Sequence, residues 1–285
     1  MTSRRSILVG GAALAAAAQF RPALAAPAKF RLGVTDWNLR QTGKVEAVAL
    51  AKKLGFDGVE VSLGINAVDN KLPLDNADKQ DAYLKAAQEH GIALAGTCLD
   101  ILHRNYLKND KLGAKWVADG IPITKKLNAK VMLLPFFGRG ALTTQEEKEY
   151  VADVLKEIAP EAEKAGVVLG LENTISAADN VKIMERAGNP PALKVYYDVG
   201  NSTNGGFDIL REIRWLGKDR ICQMHLKDNP YYLGEGRINF PAVMKAINEI
   251  GFSLFANLET DSPAKDVEAD MRRNIGYVRK LMAEA

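Results

Sequence analysis

Four ionisable residues stand at matching places along the chain: Glu172 closes VVLGLE, Asp198 closes LKVYYD, His225 lies near the end of ICQMHL, and Glu259 closes SLFANLE. Their spacings of 26, 27 and 34 residues each fit one strand-helix unit. Three carboxylates and an imidazole drawn together repel, and at least one acid must keep its proton unless a cation neutralises the group. A divalent metal is the simple resolution. Oxygen ligands with one imidazole suit Mn²⁺ first, and also Mg²⁺, Co²⁺ or Zn²⁺; no cysteine is in the set to favour a soft ion. Such a cation is a Lewis acid towards a carbonyl, and a carboxylate beside the substrate then removes the adjacent proton to give an enediolate. Return of a proton on the opposite face epimerises the centre; loss of a β-substituent instead is an elimination. Glu172 and Glu259 are the candidates for the two faces. Lys227, two residues beyond His225 and so on the same side of its strand, is a candidate donor to an oxyanion or leaving group, with a salt bridge to Asp228 or a neighbouring strand end as the structural alternative.

These groups meet only if parallel neighbouring strands carry them. The apolar runs predict strands at 30–39, 58–63, 92–99, 130–136, 167–172, 194–198, 221–227 and 253–259. Helical patterns at 45–54, 78–89, 115–127, 145–164, 207–216, 241–250 and 265–282 lie between them. Gly55, Gly91, Gly166, Gly217 and Gly251 are placed as left-handed helix stops. Eight alternating units without a linker are the count of an α/β fold of the (β/α)8 TIM barrel type, a single domain over 26–285. A doubly wound sheet would carry a glycine-rich fingerprint after its first strand, where this chain has Val34-Thr35-Asp36-Trp37-Asn38. Catalytic groups of such a barrel come from the C-terminal strand ends. The period of two then turns Gly170 and Val168 inward with Glu172, Tyr196 with Asp198, Gln223 and Ile221 with His225, and Asn257 and Phe255 with Glu259. Leu171, Met224 and Leu258 face the helices.

The segments LEN, YYDVGN, HLKD and LET resemble the xylose isomerase-like barrels of the sugar phosphate isomerase and epimerase group, which includes tagatose epimerase and inosose dehydratase. Residues 233–240, LGEGRINF, resemble that family's loop before the seventh helix. The resemblance implies Glu172, Asp198, His225 and Glu259 as ligands of one divalent metal, with the two glutamates also flanking the substrate as acid and base. The pattern departs at two substrate contacts. Asn201 stands where the tagatose-type epimerases have a histidine, and Tyr231 where they have an arginine.

Further candidates surround the mouth. Trp37, Phe136 and Phe137 can wall a sugar face. His103, Arg139, Tyr231, Tyr232 and Arg237 fall in βα loops suited to hydroxyl or carboxylate recognition. Glu60, in GVEVS, either reaches the site or ties strands together, the tie being favoured, and His90 reads as a helix-end residue. Cys98 and Cys222, on distant strands, read as free thiols.

The chain has 285 residues, 38 basic and 35 acidic, a net charge of +3. That excess belongs to Arg4, Arg5 and Arg21, which precede or end an apolar stretch followed by Ala23-Leu24-Ala25. Residues 1–25 read as a cleavable twin-arginine-type export signal, the apolar run of about 12 residues being too short to span a bilayer. The mature chain is then electrically neutral and periplasmic or secreted, without a membrane anchor. A free or keto sugar suits that location better than a phosphate ester. Metal-dependent isomerisation or epimerisation of such a sugar is the leading expectation. A lyase or hydratase acting on a 3-keto-glycoside or keto-polyol is the rival, separable by product mass, and a non-catalytic periplasmic sugar-binding protein is the alternative of another class. A nuclease of the endonuclease IV type needs several histidines, and the chain has only three. The implied partners are a small carbohydrate and the export machinery, without nucleic acid; a homo-oligomer is compatible with the sequence.

Overall fold

The strands owe their positions to short β-branched and apolar runs that are buried on both faces, as parallel strands in a barrel must be. In a computed structural model, which describes residues 30–284, they are β1 (Arg31–Thr35), β2 (Gly58–Ser62), β3 (Ala93–Cys98), β4 (Val131–Pro135), β5 (Val168–Glu172), β6 (Leu193–Asp198), β7 (Ile221–Leu226) and β8 (Phe255–Leu258). Each pairs in parallel with the next, and β8 pairs with β1, closing an eight-stranded barrel. The expected export signal lies outside the described residues. No helix among the described residues is long and apolar enough to cross a membrane.

The surrounding helices are α1 (Glu46–Leu54), α2 (Ala77–His90), α3 (Lys111–Lys126), α4 (Gln145–Ala165), α5 (Ala177–Arg186), α6 (Val199–Asn204), α7 (Ile209–Arg220), α8 (Phe240–Glu249) and α9 (Val267–Glu284). Helix α5 and the short α6 are additions to the sequence reading. Gly55, Gly91 and Gly166 are left-handed caps of α1, α2 and α4. Gly251 has positive φ one residue beyond the end cap Ile250. Gly217 differs: its φ of 65° with ψ of 176° kinks α7 internally instead of capping it.

Leu171, Met224 and Leu258 join the large apolar layer between barrel and helices, as their parity requires. A smaller cluster of Cys98, Val131, Leu133, Tyr196 and Cys222, with Val168 and Trp37 against it, fills the barrel interior. The expected inward Ile221 instead belongs to the outer layer. The reason is a register shift: Val195 pairs with Ile221 but Tyr196 with Gln223, so Cys222 is an extra residue that reverses the parity below it. Both cysteines are buried and free. Lack of a side chain matters at Gly33, where a Cβ would overlap the Asn257 amide.

Candidate active site

Four strand ends deliver the expected set. Glu172 ends β5, Asp198 ends β6, His225 is the penultimate residue of β7, and Glu259 follows β8, its backbone N–H bonded to the Leu226 carbonyl. One ligand atom from each lies within 4.8 Å of all the others. That spacing is close to the roughly 4.2 Å between opposite ligands of an ion with bonds of about 2.1 Å. Glu172, Asp198 and His225 are buried, and Glu259 is half-buried.

Local structure aims each group. Asp198 caps α6: its Oδ1 accepts the Asn201 N–H at 2.7 Å. Its buried Oδ2 accepts no well-directed hydrogen bond, although the Lys227 ammonium lies 2.8 Å away. His225 presents Nδ1 to the carboxylates, at 2.9 Å from Glu172 Oε1, 3.4 Å from Glu259 Oε2 and 3.7 Å from Asp198 Oδ2. Its Nε2 faces the fully buried Glu60, whose Oε2 is 3.0 Å away. The donor chemistry, the under-satisfied Asp198 oxygen and the convergence of the set all fit a hard or borderline divalent cation held by these four residues.

The charges are interdependent. Burial disfavours the imidazolium, yet Glu172 and Glu259 outweigh it and hold His225 well above its ordinary range. Burial pushes Asp198 up to about 7 against the pull of Lys227, with Glu172 and Glu259 adding to the rise. Burial also opposes ionisation of Glu259, but His225 and Lys227 prevail and hold it down at about 2. Lys227 is raised, the carboxylates Asp198, Glu259 and Glu172 overcoming its desolvation. Its partners are Asp198 and Glu259, the latter at 2.5 Å, and not its neighbour Asp228. The two oxygens of Asp228 accept the backbone N–H groups of Gly236 and Arg237.

Trp37 reaches the site, its Nε1 donating to Glu259 Oε1 at 3.0 Å and its ring meeting His225 edge-on. Asn201 approaches Glu172 with its side-chain amide at 3.4 Å. Tyr231 and Arg237 line a pocket that shares Lys227 and Asn201 with the site. His103 is exposed and stacked on Phe137. Phe136 is a correction: it packs in the outer apolar layer, 1% exposed. Val131 and Leu133 of β4 face inward, so alternation turns Phe136 to the helices. Tyr232 is tied to Asp270 at 2.6 Å and carries Arg273 over its ring.

Glu60 reaches the site, the alternative to the favoured strand tie. Its Oε2 accepts the Tyr196 hydroxyl at 2.8 Å and the Asn257 amide at 3.1 Å besides facing His225. Asn257 also donates to Gln223, which reaches the Ala95 carbonyl across the barrel. The signal was available in GVEVS: a lone carboxylate in a buried strand requires partners.

Residues 48–281 match the model of the xylose isomerase-like TIM barrel family. The chain belongs to that family. Among curated members, an L-ribulose-5-phosphate 3-epimerase of Escherichia coli (strain SMS-3-5 / SECEC) is 27% identical over 267 residues, covering 85% of this chain and 90% of that protein. Among solved structures, an L-ribulose 3-epimerase superposes with a TM-score of 0.73 at 17% identity, over 90% of this chain and 95% of that one. The IOLI protein, solved with a zinc atom, superposes with a TM-score of 0.70 at 19% identity, over 90% and 99% of the two chains.

Proposed function

We propose that this protein is a divalent-metal-dependent sugar epimerase or isomerase that acts on a keto sugar through an enediolate. The observation that carries the reading is the convergence of Glu172, Asp198, His225 and Glu259 at the mouth of the barrel, with donor atoms within 4.8 Å. The epimerase relatives support the same class. A cation held by these four residues would polarise the substrate carbonyl and acidify the adjacent C–H. Glu172, on β5, and Glu259, beyond β8, approach from different sides of the barrel and serve as the proton-accepting and proton-returning groups. Lys227, bridging Asp198 and Glu259, is placed to donate to a developing oxyanion. Trp37 fixes Glu259 by its indole N–H and supplies an apolar surface beside it.

One observation favours an elimination as the second reading. The ammonium of Lys227 rests against Glu259 at 2.5 Å, where it can protonate a leaving group, while Asn201 and Tyr231 stand at the two positions where the tagatose-type epimerases are expected to hold substrate oxygens. Metal analysis of the native protein, followed by a screen of free, 3-keto and phosphorylated sugars read by product mass, separates the readings. Epimerisation conserves mass and elimination does not; absence of turnover by the metal-loaded protein would favour a sugar-binding role. We further propose that the Arg4-Arg5 segment directs export, which cell fractionation tests.

A further inference from the structure

Strand β8 stops short of its functional residue. Its pairing with β1 runs from Arg31–Phe255 to Val34–Leu258, so Glu259 lies beyond its strand, whereas Glu172, Asp198 and His225 are held within β5, β6 and β7. Glu259 is also the least buried of the four. Its backbone N–H is bonded to the Leu226 carbonyl, which fixes the side towards β7. The side towards β1 needs another tie.

The turn after β1 supplies it. Leu39, Arg40 and Gln41 donate their N–H groups back to the carbonyls of Thr35, Trp37 and Asp36, and the Asp36 carboxylate staples the turn to the N–H groups of Gly43 and Ser62. Asn38 sits half-buried within this turn. Its Oδ1 accepts the hydroxyl of the fully buried Thr35 at 2.7 Å, and its Nδ2 donates to the Thr260 carbonyl at 2.9 Å. A carbonyl can only accept, so the orientation of the amide is settled. The bridge carries the β1–β8 seam past its last backbone pair. Thr260 is buried and is gripped from α9 as well, where the Asn274 amide donates to its hydroxyl at 3.0 Å. Trp37, next to Asn38, engages Glu259 Oε1, which leaves Oε2 to face His225 Nδ1 at 3.4 Å.

We propose that Asn38 is a positioning residue for Glu259: by holding the Thr260 carbonyl, it fixes where Glu259 Oε2 stands in the cation site formed with Glu172, Asp198 and His225. Asn38 acts through the backbone of the following residue, not by contact with the carboxylate. The inference rests on the divalent-metal part of the proposed function. Groups that orient a metal ligand contribute about 10- to 100-fold in affinity. Asn38 is one step further from the ligand than such a group, which puts its effect at the lower end of that range.

The test is calorimetric Mn²⁺ titration of the protein and its variants, with thermal melts of the same samples. Asn38→Ala should weaken Mn²⁺ binding about tenfold. Thr35→Val removes the hydroxyl that holds the amide and should weaken binding about threefold or more, while Thr35→Ser keeps the hydroxyl and should stay within about twofold of the unaltered protein. Asn76→Ala is the control for stability alone. It removes the side-chain cap of α2 and should lower Tm while leaving Mn²⁺ affinity unchanged. Affinity within about twofold of the unaltered protein in Asn38→Ala and Thr35→Val would overturn the proposal, as would an equal loss in Asn76→Ala. If Asn38→Ala does not fold, Thr35→Val against Thr35→Ser decides the matter. An unaltered protein that binds no divalent cation overturns the metal reading and this inference with it, whereas tight binding untouched by the Asn38 and Thr35 changes overturns the positioning role alone.

Discussion

His225 is held between two carboxylates: Nε2 lies 3.0 Å from Glu60 Oε2, and Nδ1 lies 2.9 Å from Glu172 Oε1. An N–H on Nε2 directed at Glu60 leaves the Nδ1 lone pair of the neutral ring for a cation, the arrangement by which a carboxylate sets the tautomer and basicity of a ligating histidine. Glu60 is itself fixed by Tyr196 and Asn257, so the orientation of the ring descends from the barrel interior.

Glu60→Ala is therefore expected to weaken Mn²⁺ binding by about 10- to 100-fold, and Glu60→Gln, which keeps an acceptor oxygen, by less. Calorimetric titration measures both. Unchanged affinity in Glu60→Ala would show that Glu60 only ties strands together.

Substitution of the two proton-transfer groups gives a kinetic test. Glu172→Gln and Glu259→Gln should each lower kcat by roughly 100- to 10,000-fold, the usual span for loss of a positioned acid or base. Full activity in both would contradict the proposed chemistry. Metal content of the variants distinguishes lost proton transfer from lost binding.

The buried Asp36 predicts a pH dependence of stability. Burial lifts it to about 8 despite the N–H groups of Gly43 and Ser62 on its Oδ2. A carboxyl raised in the folded state binds protons that the unfolded chain releases. Its contribution is complete below pH 4 and is lost as the pH rises towards 8, at a slope of at most about 1.4 kcal/mol per pH unit. Asp36→Asn should flatten the fall in Tm between pH 5 and 8. An unchanged profile in thermal melts at pH 5, 6.5 and 8 would assign that fall to other groups.

Neither cysteine should react in the native state. Both are buried, and burial pushes Cys222 up to about 12 and Cys98 well above its ordinary range. A thiol-specific disulfide reagent should label neither until the protein unfolds, then both. Rapid native labelling would contradict the interior placement.

The barrel and its four strand-end residues were legible because both follow from repetition: each βα unit returns the chain to the mouth, and alternation selects the inward face. What escaped was set by contacts between distant segments. The extra residue Cys222 in β7 leaves no mark in composition, yet it turned Ile221 outward. Phe136 looked available as a ring at a strand end, and only the parity of Val131 and Leu133 places it against the helices. Helix α6 is six residues long and exists partly because Asp198 caps it. The partners of Glu60 come from β6, β7 and β8, none near it in the chain.

The cluster of Glu172, Asp198, His225 and Glu259 is proposed to epimerise or isomerise a keto sugar by removing and returning a proton at a sugar carbon. Mass spectrometry and stereochemical analysis of the product formed in D₂O, with the Mn²⁺-loaded protein and keto sugars as substrates, tests it most directly. The expected product is an isomer of the substrate that gains one deuterium at the carbon beside the carbonyl, formed only with the metal present. A product that has lost water or an aglycone, or an epimer that carries no solvent deuterium and forms equally without metal, would contradict it.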